Sequence, residues 1–117
     1  MNWNELNTIT QIEDLKLQSN QRPILIFKHS TRCGISSMVK RRFEKHITQN
    51  FKDTSQFYYL DLIKNRTVSN AVSEQFNVQH ESPQVIVLYK GNAIYNASHN
   101  GIDAEKIESQ MHAVVVN

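Results

Sequence analysis

Two stretches of the chain, Ile24-Leu25-Ile26-Phe27 and Val85-Ile86-Val87-Leu88-Tyr89, are apolar or aromatic at every position. A strand with one face in water alternates apolar and polar residues. An unbroken run of strand length belongs instead to a strand covered on both faces, at the centre of a sheet flanked by helices. The sequence supplies the helices. Leu6, Ile9, Ile12, Leu15 and Leu17 are spaced mostly by three, which predicts a helix over at least Thr10 to Ser19, started by Trp3 and ended by Gln21-Arg22-Pro23. A second helix runs from about Gly34 to His46, with Ile35, Met38, Val39, Phe43 and Ile47 on one face. A third, Asn65 to Phe76, buries Val68, Ala71, Val72 and Phe76, and a last one spans Ile102 to Val115 with Asp103 as N-cap.

Between them lie the aromatic-rich strand Gln56 to Leu62 and the strand Ala93 to Ala97, the latter joined to Val85–Tyr89 by the turn Lys90-Gly91-Asn92. The order is α–β–α–β–α–β–β–α. Strand–helix–strand requires a right-handed crossover and a parallel pair, and the terminal β–β–α adds an antiparallel hairpin with a covering helix. The expected fold is therefore α/β and thioredoxin-like. It has a central four-stranded mixed sheet of order 2-1-3-4, helices on both faces and an extra N-terminal helix, and the strand ending at Lys28 is central.

A chain of 117 residues fits one domain, 1–117, since two halves would each be too small to bury a core. With 13 basic and 11 acidic residues the charge is too balanced to imply a nucleic-acid partner, and Lys40-Arg41-Arg42 reads as a solvated helix face. No apolar run approaches a membrane span and no secretory signal is visible. A single cysteine makes no internal disulfide and no zinc-finger or zinc-ribbon set, and the five histidines form no H-x-x-x-H pair. These features lead us to expect a cytoplasmic protein, a monomer, with no metal.

Cys33 sits between the central strand and the helix that follows. There the partnerless N–H groups of the first turn and the helix dipole favour a thiolate. Cys33-Gly34-Ile35-Ser36 is a C-x-x-C redox motif with serine as its second member. Ser36 is expected to donate its hydroxyl to the thiolate, with Gly34 and Ile35 contributing from the first turn and Arg32, Lys28 and His29 from the flank. Serine resolves no mixed disulfide, so exchange would follow a monothiol route. Pro83, in Glu81-Ser82-Pro83-Gln84, precedes the third strand and faces the cysteine-bearing turn in this architecture. A cis Pro83 would turn the Ser82 backbone toward a substrate. Thr31 and Arg66 complete the expected substrate contacts, Arg66 through a ligand carboxylate. His80, Ser69, Asn70, Ser98 and His99 are weaker candidates.

Phe27-Lys28-His29-Ser30-Thr31-Arg32-Cys33-Gly34-Ile35-Ser36 and His80-Glu81-Ser82-Pro83-Gln84 resemble the monothiol bacilliredoxin family. Tyr58 to Leu62, Arg66 with Val68-Ser69-Asn70, and Ala97-Ser98-His99 add to the likeness, which runs from about Trp3 to Ile107. Gly34 stands where many members carry proline, which leaves the nucleophile intact. The resemblance implies a Gram-positive bacterial cytosol, bacillithiol as co-substrate rather than a permanently bound cofactor, and removal of bacillithiol from S-bacillithiolated client proteins through a mixed disulfide on Cys33. Bacillithiol is acidic, so Lys28, Arg32 and Arg66 are the residues expected to bind it. Two alternatives stand beside this reading. One is an iron–sulfur carrier like the monothiol glutaredoxins, whose C-G-F-S motif differs by one residue, although their Gly-Gly and acidic residue after the proline strand are replaced here by Lys90-Gly91-Asn92-Ala93. The other is a non-enzymatic thioredoxin-like module docking peptides along the Pro83 loop.

Overall fold

Ile24–His29 (β2) and Gln84–Tyr89 (β4), which contain the two apolar runs, are antiparallel neighbours in the middle of one sheet, paired from Ile24 with Leu88 to Lys28 with Gln84. The computed structural model describes the backbone of residues 1–116 and the side chains of 1–114. In chain order the other elements are β1 (Asn4–Glu5), α1 (Thr10–Gln18), α2 (Gly34–His46), α3 (Gln49–Thr54), β3 (Gln56–Asp61), α4 (Arg66–Phe76), β5 (Asn92–Ser98), a single 3-10 turn at His99–Gly101 and α5 (Ala104–Val116). The sheet order is β1-β3-β2-β4-β5. β2 runs parallel to β3, and β5 turns back on β4 through a two-residue turn at Lys90 and Gly91, both at positive φ.

The expected four-stranded sheet of order 2-1-3-4 is corrected to five strands. The edge strand β1 pairs parallel with β3, Asn4 against Tyr58. Two residues with exposed side chains carry no alternation, so this strand left no pattern to read. The short helix α3 was also unforeseen: none of its residues is buried, and it is started by the Thr48 hydroxyl accepting from Phe51 N–H at 3.4 Å. α5 begins at Ala104, two residues later than expected, and Asp103 caps it by accepting from Glu105 N–H at 3.0 Å.

Each face of the sheet has its own core. Leu6, Ile12 and Leu15 with Val68, Val72 and Phe76 cover Ile24, Ile26 and Ile86 on the α1/α4 side. Val39, Phe43, Ile107 and Met111 cover Leu25, Phe27, Val85 and Val87 on the α2/α5 side. Trp3 belongs to the second side, not to the start of α1 as expected. Its ring lies 5.9 Å from Phe27 and from Phe57, and its Nε1 donates to Glu44 Oε2 at 2.6 Å. Two expected core assignments fail. Ile35 and Met38 are 66% and 60% exposed, because α2 turns Ser36, Val39 and Phe43 to the sheet. On α1, Ile12 and Leu15 take the buried positions and leave Ile9 and Leu17 outside.

Candidate active site

β2 ends at His29, and Ser30, Thr31 and Arg32 carry the chain out to α2. Cys33 N–H donates back to Ser30 C=O at 3.2 Å and closes the turn. Cys33 is the N-cap residue of α2, with extended backbone at φ −109° and ψ 115°, and its carbonyl accepts from Ser37 N–H at 3.2 Å. The thiol is the chain's sole free cysteine and is half-buried. A 13-residue helix directs its first, partnerless N–H groups and the positive end of its dipole at this position. Thr31, Arg32, Gly34 and Ile35 are exposed around it.

Ser36 does not serve the sulfur as expected. It is fully buried; its Oγ lies 2.9 Å from His29 Nδ1 and accepts from Ser30 N–H at 3.2 Å. Among the described residues no hydrogen bond joins this hydroxyl to the Cys33 sulfur. The hydroxyl therefore fixes the turn, holding β2, Ser30 and the first turn of α2 together. His29 also departs from its expected role. Burial first, and then the Lys40 ammonium, push its ring below the usual histidine range, against weaker opposing pulls from Asp61, Ser36 and Glu44. A neutral ring bonded to Ser36 offers the thiolate no charge.

Lys28 is corrected most clearly. Neighbouring strand residues point to opposite faces, and Lys28 points away from α2 into the α1/α4 side. It is fully buried there, with Nζ donating to Ser69 C=O at 3.2 Å and Ser73 Oγ at 2.8 Å and lying 3.3 Å from His80 Nδ1. A side chain held in this way reaches neither the sulfur nor a ligand in solvent.

The second half of the site is the loop from Asn77 to Pro83. The Ser82–Pro83 bond is cis, and Pro83 enters β4 immediately before Gln84, the partner of Lys28 on β2. Pro83 thus stands at the same end of the sheet as the turn that bears Cys33. Several weaker candidates converge on this loop as fasteners. Pro83 C=O accepts from His99 N–H at 3.0 Å, the Ser98 hydroxyl donates to the Glu81 carboxylate, and Ser69 Oγ lies 3.4 Å from His80 Nδ1. Gln84 and Ser73 were missed by sequence reasoning. Gln84 is buried and ties its Nε2 to Gln79 C=O at 2.9 Å, while its Oε1 accepts from Glu81 N–H at 3.4 Å. A polar residue at the head of an otherwise apolar strand was the available signal. Ser82 is half-exposed and makes no hydrogen bond to any described residue. Arg66, at the exposed start of α4, faces His80 electrostatically, and Asn70 is exposed on the same helix without a part in the site.

The model of the family "Monothiol bacilliredoxin BrxC" matches residues 4–107. The chain belongs to the monothiol bacilliredoxin family. Among solved structures, one described as an oxidoreductase with a thioredoxin fold is 27% identical, covering 91% of this chain and 90% of its own, with a TM-score of 0.77. Thioredoxin from Malassezia sympodialis is 18% identical over 96% of this chain and 90% of its own, with a TM-score of 0.73. Thioredoxin from Trypanosoma brucei brucei is 15% identical over 99% and 93%, with a TM-score of 0.72. The last two establish the fold alone. Family and fold together make this bacilliredoxin a thiol oxidoreductase. No helix among the described residues is long and apolar enough to cross a membrane.

Proposed function

We propose that this bacilliredoxin removes bacillithiol from S-bacillithiolated proteins in the cytoplasm, as a monomer and by a monothiol route through Cys33. The observation that carries the reading is the placement of one accessible thiol at the head of α2, with the second position of the motif filled by a serine already committed to His29 and Ser30. The Cys33 thiolate attacks the bacillithiol sulfur of the client's mixed disulfide. The Cys33–bacillithiol S–S bond forms as the client S–S bond breaks, and the client thiolate leaves and takes a proton from solvent. A second bacillithiol thiolate then attacks the bacillithiol sulfur on Cys33, releasing oxidised bacillithiol and the Cys33 thiolate. The bond exchange is balanced: one client disulfide is reduced as two bacillithiol molecules become joined.

The unpaired backbone of Ser82 is suited to strand-like pairing with a client segment. Arg32 and Arg66 are the exposed cations available to bacillithiol's carboxylates, with Thr31 as a neutral contact beside them. The test is intact-mass spectrometry after mixing with a bacillithiolated protein, beside the same protein carrying glutathione. A mass gain equal to bacillithiol on Cys33, with release of the client thiol, is expected. Unmodified Cys33 with both clients would end the exchange reading and bring forward the cluster-carrier and peptide-docking alternatives.

A further inference from the structure

The polar group that the mechanism leaves unused is the most deeply placed charge in the protein. Lys28 is fully buried, and its partners are a carbonyl, a hydroxyl and a ring nitrogen, with no carboxylate among them. An ammonium buried without an anion is costly, and an apolar side chain of the same length would sit there at less expense. Its contacts indicate what it accomplishes. Through its backbone Lys28 pairs with Gln84, immediately after Pro83. Through its ammonium it holds Ser69 and Ser73 of α4 and reaches His80, three residues before Pro83. One residue of the central strand therefore grips the proline loop at both ends, and Glu81, Ser82 and Pro83 are suspended between the grips. The other fasteners, from Gln84 to Gln79, from Ser98 to Glu81 and from His99 to Pro83, hold this segment to the β4/β5 side. Lys28 ties it to the strand that feeds Cys33 and, beside the Ser69 hydroxyl 3.4 Å from His80 Nδ1, to α4.

We propose that Lys28 is a positioning residue whose ammonium, clamped between α4 and His80, sets the Pro83 loop against the Cys33 turn for docking of the protein client. This rests on the exchange reading given above. The clamp has a protonation requirement visible in its geometry. His80 Nδ1 faces an ammonium, so that nitrogen must accept, and the ring proton resides on Nε2. Protonating His80 would set two donors face to face. The charged groups around the ring are Lys28 of β2 and Arg66 of α4, both cationic, and Glu81 of the loop itself. Burial, then Lys28 and Arg66, hold the ring below the usual histidine range, with Glu81 opposing. The clamp is accordingly closed at neutral pH and opens in acid.

The experiment uses the full chain and the variants Lys28→Met, His80→Leu and His80→Gln. Exchange with a bacillithiolated protein is followed beside alkylation of Cys33 by iodoacetamide. We expect Lys28→Met and His80→Leu to raise KM for the protein client roughly tenfold, a loss of about 1.4 kcal/mol in docking. Their kcat and alkylation rates should stay within about twofold of wild type, the scatter expected when the reacting groups are untouched. His80→Gln, which offers a non-titrating acceptor, should keep KM low at pH 7 and abolish the extra rise in KM that wild type shows at pH 5.5. An unchanged KM in both disrupting variants, or a parallel fall in alkylation, would overturn the proposal. If Lys28→Met does not fold, His80→Leu decides alone. If wild type exchanges with no protein client, the functional reading falls, and amide hydrogen exchange decides the clamp separately. Faster exchange at residues 79–82 in His80→Leu supports it, and unchanged protection there refutes it.

Discussion

Ser36→Ala separates the role of this hydroxyl as drawn by the structure from the role its place in the motif suggests. The substitution removes the acceptor for Ser30 N–H and the partner of His29 Nδ1, both near the fully buried Ser36. Each lost hydrogen bond costs a net ~0.5–1.5 kcal/mol, and a buried group left without a partner adds to this. The expected destabilisation is therefore roughly 2–3 kcal/mol. With a urea m-value of about 1–3 kcal/mol/M for a domain of this size, the unfolding midpoint should fall by about 1–2 M. The thiol should hardly respond, since the hydroxyl is not bonded to it. Its alkylation rate, measured between pH 6 and 9, should keep the wild-type profile to within about 0.3 pH units, well below the full unit that loss of a ~1.4 kcal/mol hydrogen bond to the thiolate would produce. A profile displaced upward by a unit or more, with the urea midpoint unmoved, would refute the argument and return the hydroxyl to the sulfur.

Three further outcomes follow from the same geometry. Burial brings Lys28 from 10.5 down to about 8. Below pH 8 folded and unfolded chains are both protonated there; between 8 and 10.5 only the unfolded chain holds the proton, so stability from this group rises with pH across that window. The full shift corresponds to about 3 kcal/mol, read as a growing advantage of wild type over Lys28→Met in urea titrations from pH 8 to 10; a constant difference would mean that the group keeps its proton. His29 is also held below its ordinary range by burial, so its NMR titration midpoint should lie below about 6.5 and its contribution to stability should fall as pH drops through that value. A midpoint above 7 would contradict a neutral buried ring. Phe43, 2% exposed and 5.8 Å from Phe27 between ring centres, should cost about 3–5 kcal/mol when changed to Ala. A loss under about 1 kcal/mol would mean that the aromatic packing beneath α2 is slack.

The sequence revealed elements whose signal is local. The two apolar runs announced β2 and β4 because burial on both faces leaves no polar position to blur the pattern. Cys33 at the head of α2 was legible because a polar turn between an apolar run and a helical stripe admits few geometries. β1 was not legible, since its two residues are held by backbone pairing that any side chain permits. Direction was the harder part of the site. A charged residue beside a reactive cysteine invites assignment to it, yet Lys28 lies on a strand, where one step in register decides which face a side chain meets. Parity with Phe27, which faces α2, would have placed Lys28 on the other side. Ile35 and Met38 failed for a related reason: on a helix of mixed pattern, the stripes through Ser36, Val39 and Phe43 and through Ile35 and Met38 compete. The buried serine won because His29 supplies a partner for its hydroxyl.

The placement of these side chains decides how the site is built. The sequence suggests a thiol surrounded by helpers, with Lys28, His29 and Ser36 all acting on Cys33. In the structure all three are anchored elsewhere, His29 and Ser36 to each other beneath the turn and Lys28 to α4 and His80 behind the sheet. What remains at the sulfur is the head of α2, with the exposed Arg32 its neighbour in sequence. On the proposed route the backbone N–H groups at the head of α2 face the reacting sulfur, and that needs no particular side chain but does need those groups held still relative to the incoming disulfide. A monothiol enzyme has added reason for that division. On the proposed route it releases its client in the first step and then admits a second small thiol along much the same line of attack. Polar side chains bonded directly to the sulfur would have to be displaced in each half of the cycle, whereas a frame bonded behind the turn and the Pro83 loop stays intact through both.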